Sequence, residues 1–142
     1  MSSSPIRYRA GAASECVTPD EPLWLAGYAV RTSPARGNIS DLYASALALE
    51  DENGQRFVIA SIDLIAITPA ISTSVFEQLG ARHGLRRERV LLTATHTHYG
   101  PEFRVDKQLF FNISDEFAGQ FREVSIRLAA AIVRVIEQAL QR

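Results

Sequence analysis

The sequence predicts an α/β fold: a mixed sheet with a β-hairpin and flanking helices. Three observations predict it. Two strand-like runs, LYASALALE (42–50) and RFVIASIDL (56–64), flank a polar turn through Asp51-Glu52-Asn53-Gly54, a strong hairpin signal. Ile71, Val75 and Leu79 then recur every four residues, as on one face of a helix. A short apolar run, VLLTAT (90–95), follows as a further strand. Hairpin, helix and strand in that order imply layers of helix on sheet.

Residues 1–8 are expected to form a flexible leader. The stretch IRYRAGAASECV (6–17) reads as an irregular strand overlapping it, with Gly11 marking a bulge. Residues 18–41 carry Pro19, Pro22, Pro34, Gly27 and Gly37, and read as a long loop of the kind that usually carries function. In the next strand Leu47 and Leu49 share one face. Thr68-Pro69 supplies an N-cap and a first-turn proline for the helix, and Gly84 its stop. Ser114 is expected to cap the last helix, with Asp115 and Glu116 beside its positive end. Polar Glu123, Arg127, Arg134, Gln138 and Gln141 form a stripe on it, while most other residues from Leu128 to Leu140 are apolar or alanine. Such a helix needs cover on more than one side. It reaches Arg142 without a Gly or Pro stop, hence the expectation of an incomplete domain.

The 142 residues, 46% of them hydrophobic, suit one domain able to bury about 68–70% of its unfolded surface. With 15 basic and 16 acidic side chains the net charge is -1, which argues against nucleic acid as a partner. No apolar run reaches the length of a transmembrane segment. The N-terminus lacks the apolar stretch of a secretory signal, so the sequence as it stands reads as cytoplasmic, or equally as one from which a signal has been removed. Cys16 is the single cysteine, which rules out an intrachain disulfide and a cysteine-based zinc site. It is expected to be a small buried residue.

Chemistry concentrates at His96-Thr97-His98. On an extended backbone residues i and i+2 point the same way, so both rings can converge where the VLLTAT strand leaves the sheet. The carboxyl ends of strands are the usual ligand sites of α/β proteins, and Gly100-Pro101 turns the chain immediately afterwards. Neutral imidazole is a common zinc ligand, and a catalytic zinc takes three protein ligands plus water. The pair also suits two hydrogen-bonded rim residues. The His-x-His-x-Asp-His pattern of metallo-β-lactamases fails, because Gly100 and Pro101 stand where its Asp and His belong. An amidohydrolase barrel needs about 250 residues.

VLLTATHTHYGP (90–101) resembles the ATHTHSGP signature of the neutral, non-lysosomal ceramidases and their bacterial relatives. RAGAASECVTPDEPLWLAGYAVR (9–31) resembles the family's opening strand and its TP…AGY loop, and LYASALALEDENGQRFVIASIDLIAI (42–67) its next hairpin. The resemblance covers 9–101 well and 102–142 more loosely. It implies that 9–142 is the N-terminal portion of a ceramidase-like zinc hydrolase domain, with Zn2+ as cofactor, His96 as a metal ligand and His98 as the catalytic residue that helps to bind the reacting group. It further implies a second histidine, a glutamate and a tyrosine ligand beyond residue 142. The implied reaction is hydrolysis of an amide, an N-acyl sphingoid base or related N-acyl lipid, by a metal-activated water. His98 would stabilise the tetrahedral intermediate or relay a proton. The alternative is a truncated or degenerate domain acting as a binding or assembly module. The incomplete ligand set leaves open a homo-oligomer, a C-terminal partner segment, or a further acid such as Glu102 or Asp106.

Tyr99 departs from the signature serine, and Glu102 from a glycine that often follows. Tyr99 would narrow the pocket or bring a phenolic hydroxyl near the metal. Asp63, at a strand end, orients a metal histidine or, more ordinarily, starts a turn. His83 beside Gly84 suits helix capping. Arg86, Arg87 and Arg89 suit a solvated connection. Gly27 and Tyr28 suit a turn with a ring packed over it, and Phe103, Phe110 and Phe111 suit core packing before an acyl pocket.

Overall fold

The computed structural model describes residues 8–141. Most of the expected leader therefore lies outside the described residues, and so does the start of the stretch read as a strand from residue 6. The elements in order are β1 (Arg9–Cys16), β2 (Tyr43–Glu50), β3 (Arg56–Ile62), α1 (Pro69–His83), β4 (Val90–Ala94) and α2 (Asp115–Leu140), with short 3-10 turns at Arg87–Arg89 and Val105–Lys107. The four strands form one sheet in the order β1-β2-β3-β4. The first two pairings are antiparallel and β3–β4 is parallel, so α1 is the crossover that a parallel pair requires. The mixed sheet with a hairpin and flanking helices is as expected.

The hairpin turn is organised by Asp51. Its carboxylate accepts the amides of Asn53 and Gln55, and Gly54 takes φ 74, a conformation that glycine adopts without a Cβ penalty. Gly11 makes no bulge: it pairs with Ala48 in an unbroken register. Cys16 is exposed, because the alternation of β1 sends it to the side opposite the buried Gly11.

The period of two assigns each face of the sheet. Ala44, Ala46 and Ala48 of β2 and Val58, Ala60 and Ile62 of β3 are buried under the helices. Leu47 and Leu49 do share a face, and it is the opposite one, where Leu47 pairs with Ile59 and Ile59 with Leu91. Alanine on the inner face is what lets α2 lie close over β1 and β2 while also packing on α1. With cover on both those sides, Leu128, Ile132, Val135 and Ile136 are buried.

Helix α1 follows its predicted signals: Thr68 accepts the Ile71 amide, Pro69 opens the first turn, and Gly84 ends the helix at φ 62. Its Ile71, Val75 and Leu79 are fully buried. Ser114 occupies the N-cap position of α2 but makes no side-chain cap bond. The neighbouring Asp115 carboxylate instead accepts the Gln108 side-chain amide at 2.6 Å. His83 does not cap carbonyls either; its Nε2 lies 2.9 Å from Glu137 of α2. The polar stripe of α2 docks outward, Arg127 on Glu21 and Arg134 on Glu15. Among the described residues no helix is long and apolar enough to cross a membrane.

Candidate active site

The sheet ends where β3 and β4 run out together. Thr95 donates its amide to the Ile62 carbonyl and its hydroxyl to Asp63. The other Asp63 oxygen accepts the Tyr43 amide at 2.9 Å. Asp63 thus ties the edges of three strands together and serves the motif by fixing Thr95, the residue before His96. It takes the ordinary strand-end role rather than a hydrogen bond to a histidine.

The motif leaves extended geometry at once. His96 has φ 60, a left-handed conformation uncommon outside glycine. The expected same-side projection along an extended backbone is therefore not how the rings meet. The turn at His96 brings them together instead, with centroids 5.2 Å apart and planes inclined at 64°. Nδ1 of His96 lies 2.7 Å from the Ile65 carbonyl oxygen. A carbonyl only accepts, so in the neutral ring Nδ1 carries the proton and Nε2 keeps its lone pair.

His98 sits against the 24–31 loop. A Cβ on Gly27 would fall 2.4 Å from His98 Cγ, and Gly27 takes φ +96, so only glycine fits there. The Tyr28 ring meets the His98 ring edge-on at 5.0 Å. Gly27 and Tyr28 are thus site residues as well as turn residues. The loop and the motif are joined by backbone: Ala26 donates to the Gly100 carbonyl, Leu25 bridges Pro101, and Glu102 donates to the Trp24 carbonyl. This pairing had no signal in the sequence, because neither segment shows strand periodicity. Gly100 is also close-packed, a Cβ there falling 3.1 Å from the Asp63 carbonyl oxygen. A cavity of about 430 Å³ adjoins the motif, its lining mixed: Leu23, Leu25 and Leu42 beside Glu21, Asn38 and Tyr99, among others.

Glu102 is not available as a further ligand or acid. It is 1% exposed, and its carboxylate is taken up by the Phe103 and Arg104 amides and by the Arg104 guanidinium at 2.6 and 2.8 Å. That hydrogen-bonded carboxylate holds Arg104 above the usual arginine range, against the opposing effect of burial. Asp106 pairs with Lys107. Phe103 is core, as expected, whereas Phe110 stands exposed with its ring perpendicular to that of Phe111. Arg86, Arg87 and Arg89 form the solvated connection, reaching Glu88, the Phe76 ring and Gln55 respectively. Among the described residues no three His, Cys, Asp or Glu side chains gather where a metal could be held.

Residues 8–142 match the sequence profile described as neutral/alkaline non-lysosomal ceramidase, N-terminal. The chain belongs to that family. It is 30% identical over 97 residues to a neutral ceramidase of Drosophila melanogaster, an alignment covering 66% of this chain and 14% of that protein. A neutral ceramidase of Drosophila pseudoobscura pseudoobscura gives the same identity and coverage. Among solved structures, the neutral ceramidase of Pseudomonas aeruginosa superposes with a TM-score of 0.81 at 27% identity, over 98% of this chain and 22% of that one. A structure titled ceramidase complexed with C2 superposes with a TM-score of 0.80 at 28% identity, again over 22% of its length. The chain thus spans between about a seventh and a fifth of these ceramidases, and the sheet with its flanking helices corresponds to that portion of the ceramidase fold.

Proposed function

We propose that the chain supplies one zinc ligand, His96, and a catalytic neighbour, His98, to a site that hydrolyses the amide of an N-acyl lipid such as ceramide. The observation that carries this is the hydrogen bond from His96 Nδ1 to the Ile65 carbonyl at 2.7 Å. Metal-binding histidines commonly donate their second ring N–H to a carbonyl or carboxylate, which fixes the tautomer and aims the other nitrogen. His96 has that partner, and its Nε2 is left as a donor lone pair. Zinc held there would supply a water acidic enough to ionise near neutral pH and a Lewis acid for the scissile carbonyl.

The chain's own residues would act around that centre. His98, walled by Gly27 and Tyr28, stands 5.2 Å from the His96 ring. From there it can donate a hydrogen bond to the reacting carbonyl oxygen or move a proton to the leaving amine. The adjoining cavity with Leu23, Leu25, Ile39 and Leu42 offers apolar cover to an acyl or sphingoid chain.

The absence of a three-ligand cluster among the described residues favours a second reading in part: by itself the chain would act as a binding or assembly module. Zinc content and hydrolysis of N-acylsphingosine separate the two readings. Under the enzyme reading, the His96→Ala protein loses metal and turnover together. The His98→Ala protein keeps its zinc and loses turnover by about 10²- to 10⁴-fold. Zinc retained in full by His96→Ala would sink the ligand assignment. A folded protein that stays metal-free and inactive even with the remaining zinc ligands supplied would support the module.

A further inference from the structure

The loop that walls His98 also brings Arg31 to it, across 67 residues of sequence. Arg31 Nη2 donates to the His98 backbone carbonyl at 2.7 Å. The guanidinium carbon lies 5.1 Å from the centre of the Tyr28 ring and 5.8 Å from that of Tyr99. The two tyrosine rings meet at 6.2 Å, and Tyr28 touches His98 at 5.0 Å. The cluster is closed around the cation: Arg31 contacts the other three members, and Tyr28 does too.

The placement is specific. Arg31 Nε is buried without a hydrogen-bond acceptor, and leaving a buried donor unpaired is unfavourable. Cation–π attraction to the two rings offsets part of this. What the arrangement gains is position. The motif leaves β4 through the left-handed His96, and the His98 carbonyl takes the Arg31 guanidinium in place of a neighbouring strand. A planar fork is suited to this, since it can hydrogen-bond in its plane and stack on its face at once.

We propose that Arg31 is a positioning residue for His98. It anchors the His98 carbonyl and holds the Tyr28 ring against the imidazole, so that loop 24–31 and motif 96–101 form one rigid unit. Its effect on ring placement belongs to the chain itself; its effect on turnover rests on the amide-hydrolase reading.

The test is made on the 142-residue chain by NMR, through the cross-relaxation between the Tyr28 and His98 ring protons. Methyl shifts of Val58 and Val135, both fully buried, report the core. In Arg31→Met the ring cross-peak is expected to fall several-fold while the methyl shifts stay in place. Should the methyl shifts of Arg31→Met show that it has not folded, Arg31→Lys decides instead. It keeps length, charge and a donor but not the stacked plane, and its cross-peak is expected to fall less. An undiminished cross-peak in the folded variant that decides the test overturns the proposal. In the zinc-loaded enzyme, Arg31→Lys should lower kcat by about 10- to 100-fold, as misplacement of a reacting group does, with KM and zinc content unchanged. A loss of zinc, or a rise in KM of the same size, overturns the positioning role. If the native protein, with its remaining zinc ligands supplied, hydrolyses no amide, the enzyme reading fails, and the NMR result still decides the placement.

Discussion

The inner face of the sheet and the rim beyond β4 are joined by two peptide bonds, yet they are held by different forces. On the inner face Val58, Ile62, Ile71, Val75, Leu79, Val135 and Ile136 are nearly or wholly excluded from water. Their stabilisation is burial, non-directional and roughly proportional to area. At the rim, His96 and Gly27 sit in left-handed conformations, and His96, His98, Glu102 and Arg31 are fixed by individual hydrogen bonds and ring contacts. Burial tolerates repacking of similar volume. The rim interactions depend on direction and partner, so one substitution there should displace a functional group where one in the core should cost stability.

The largest expected effect tests whether the rim also bears on stability. Glu102→Leu removes the carboxylate that satisfies two amides and the Arg104 guanidinium, and leaves that cation unpaired against a buried side chain. Breaking a buried pair in this way costs about 3–5 kcal/mol. Ile136→Ala, a cavity in the core, should cost about 2–5 kcal/mol. Urea unfolding of both variants makes the comparison. A loss well under 1 kcal/mol for Glu102→Leu would show that the rim is only draped on the core.

A smaller effect should separate geometry from stability. In Gly27→Ala the new methyl would meet His98 Cγ at 2.4 Å, on a backbone with φ +96. The strain is of order 1–3 kcal/mol, and it is relieved only if the His98 ring or the loop moves. The Tyr28–His98 contact seen by NMR should therefore weaken, while the α1 and α2 signals stay native. Retention of both the contact and full stability would mean that the loop yields freely and does not position the ring.

The same contrast explains what could be read in the sequence. Helix α1 was legible from Thr68-Pro69, the Ile71-Val75-Leu79 spacing and Gly84, because caps and periodicity are local. The hairpin and β4 were legible for the same reason. His96-Thr97-His98 stood out as a residue pattern at a strand end. Its conformation did not, since the turn to φ 60 at His96 is accompanied by contacts to distant segments, the Ile65 carbonyl on His96 and Asp63 against Gly100. The Ala26–Gly100 pairing and the Arg31–His98 bond join segments far apart in the chain, and neither carries a periodic signal. Glu102 looked like a spare acid because a sequence does not reveal that Arg104 folds back on it two residues later.

The smallest effect lies at the far end of the scaffold, where α1 meets α2, and tests the core side of the comparison through pH. Glu137 accepts a hydrogen bond from His83 at 2.9 Å and another from Arg82 at 3.3 Å. The His83 bond is the main cause holding its carboxyl below the usual glutamate range, with partial burial opposing and Arg82 assisting. A depressed folded-state pKa stabilises the native state fully above the ordinary glutamate value, about 4.3. That contribution is lost as pH falls through the folded value, where both states bind the proton. The pair is largely solvent-screened, so the effect is modest. Glu137→Gln should therefore lower the urea midpoint slightly at neutral pH and leave it unchanged well below about pH 4. An equal loss at both pH values would mean that Glu137 contributes by packing between the helices, as the core does, and not by charge.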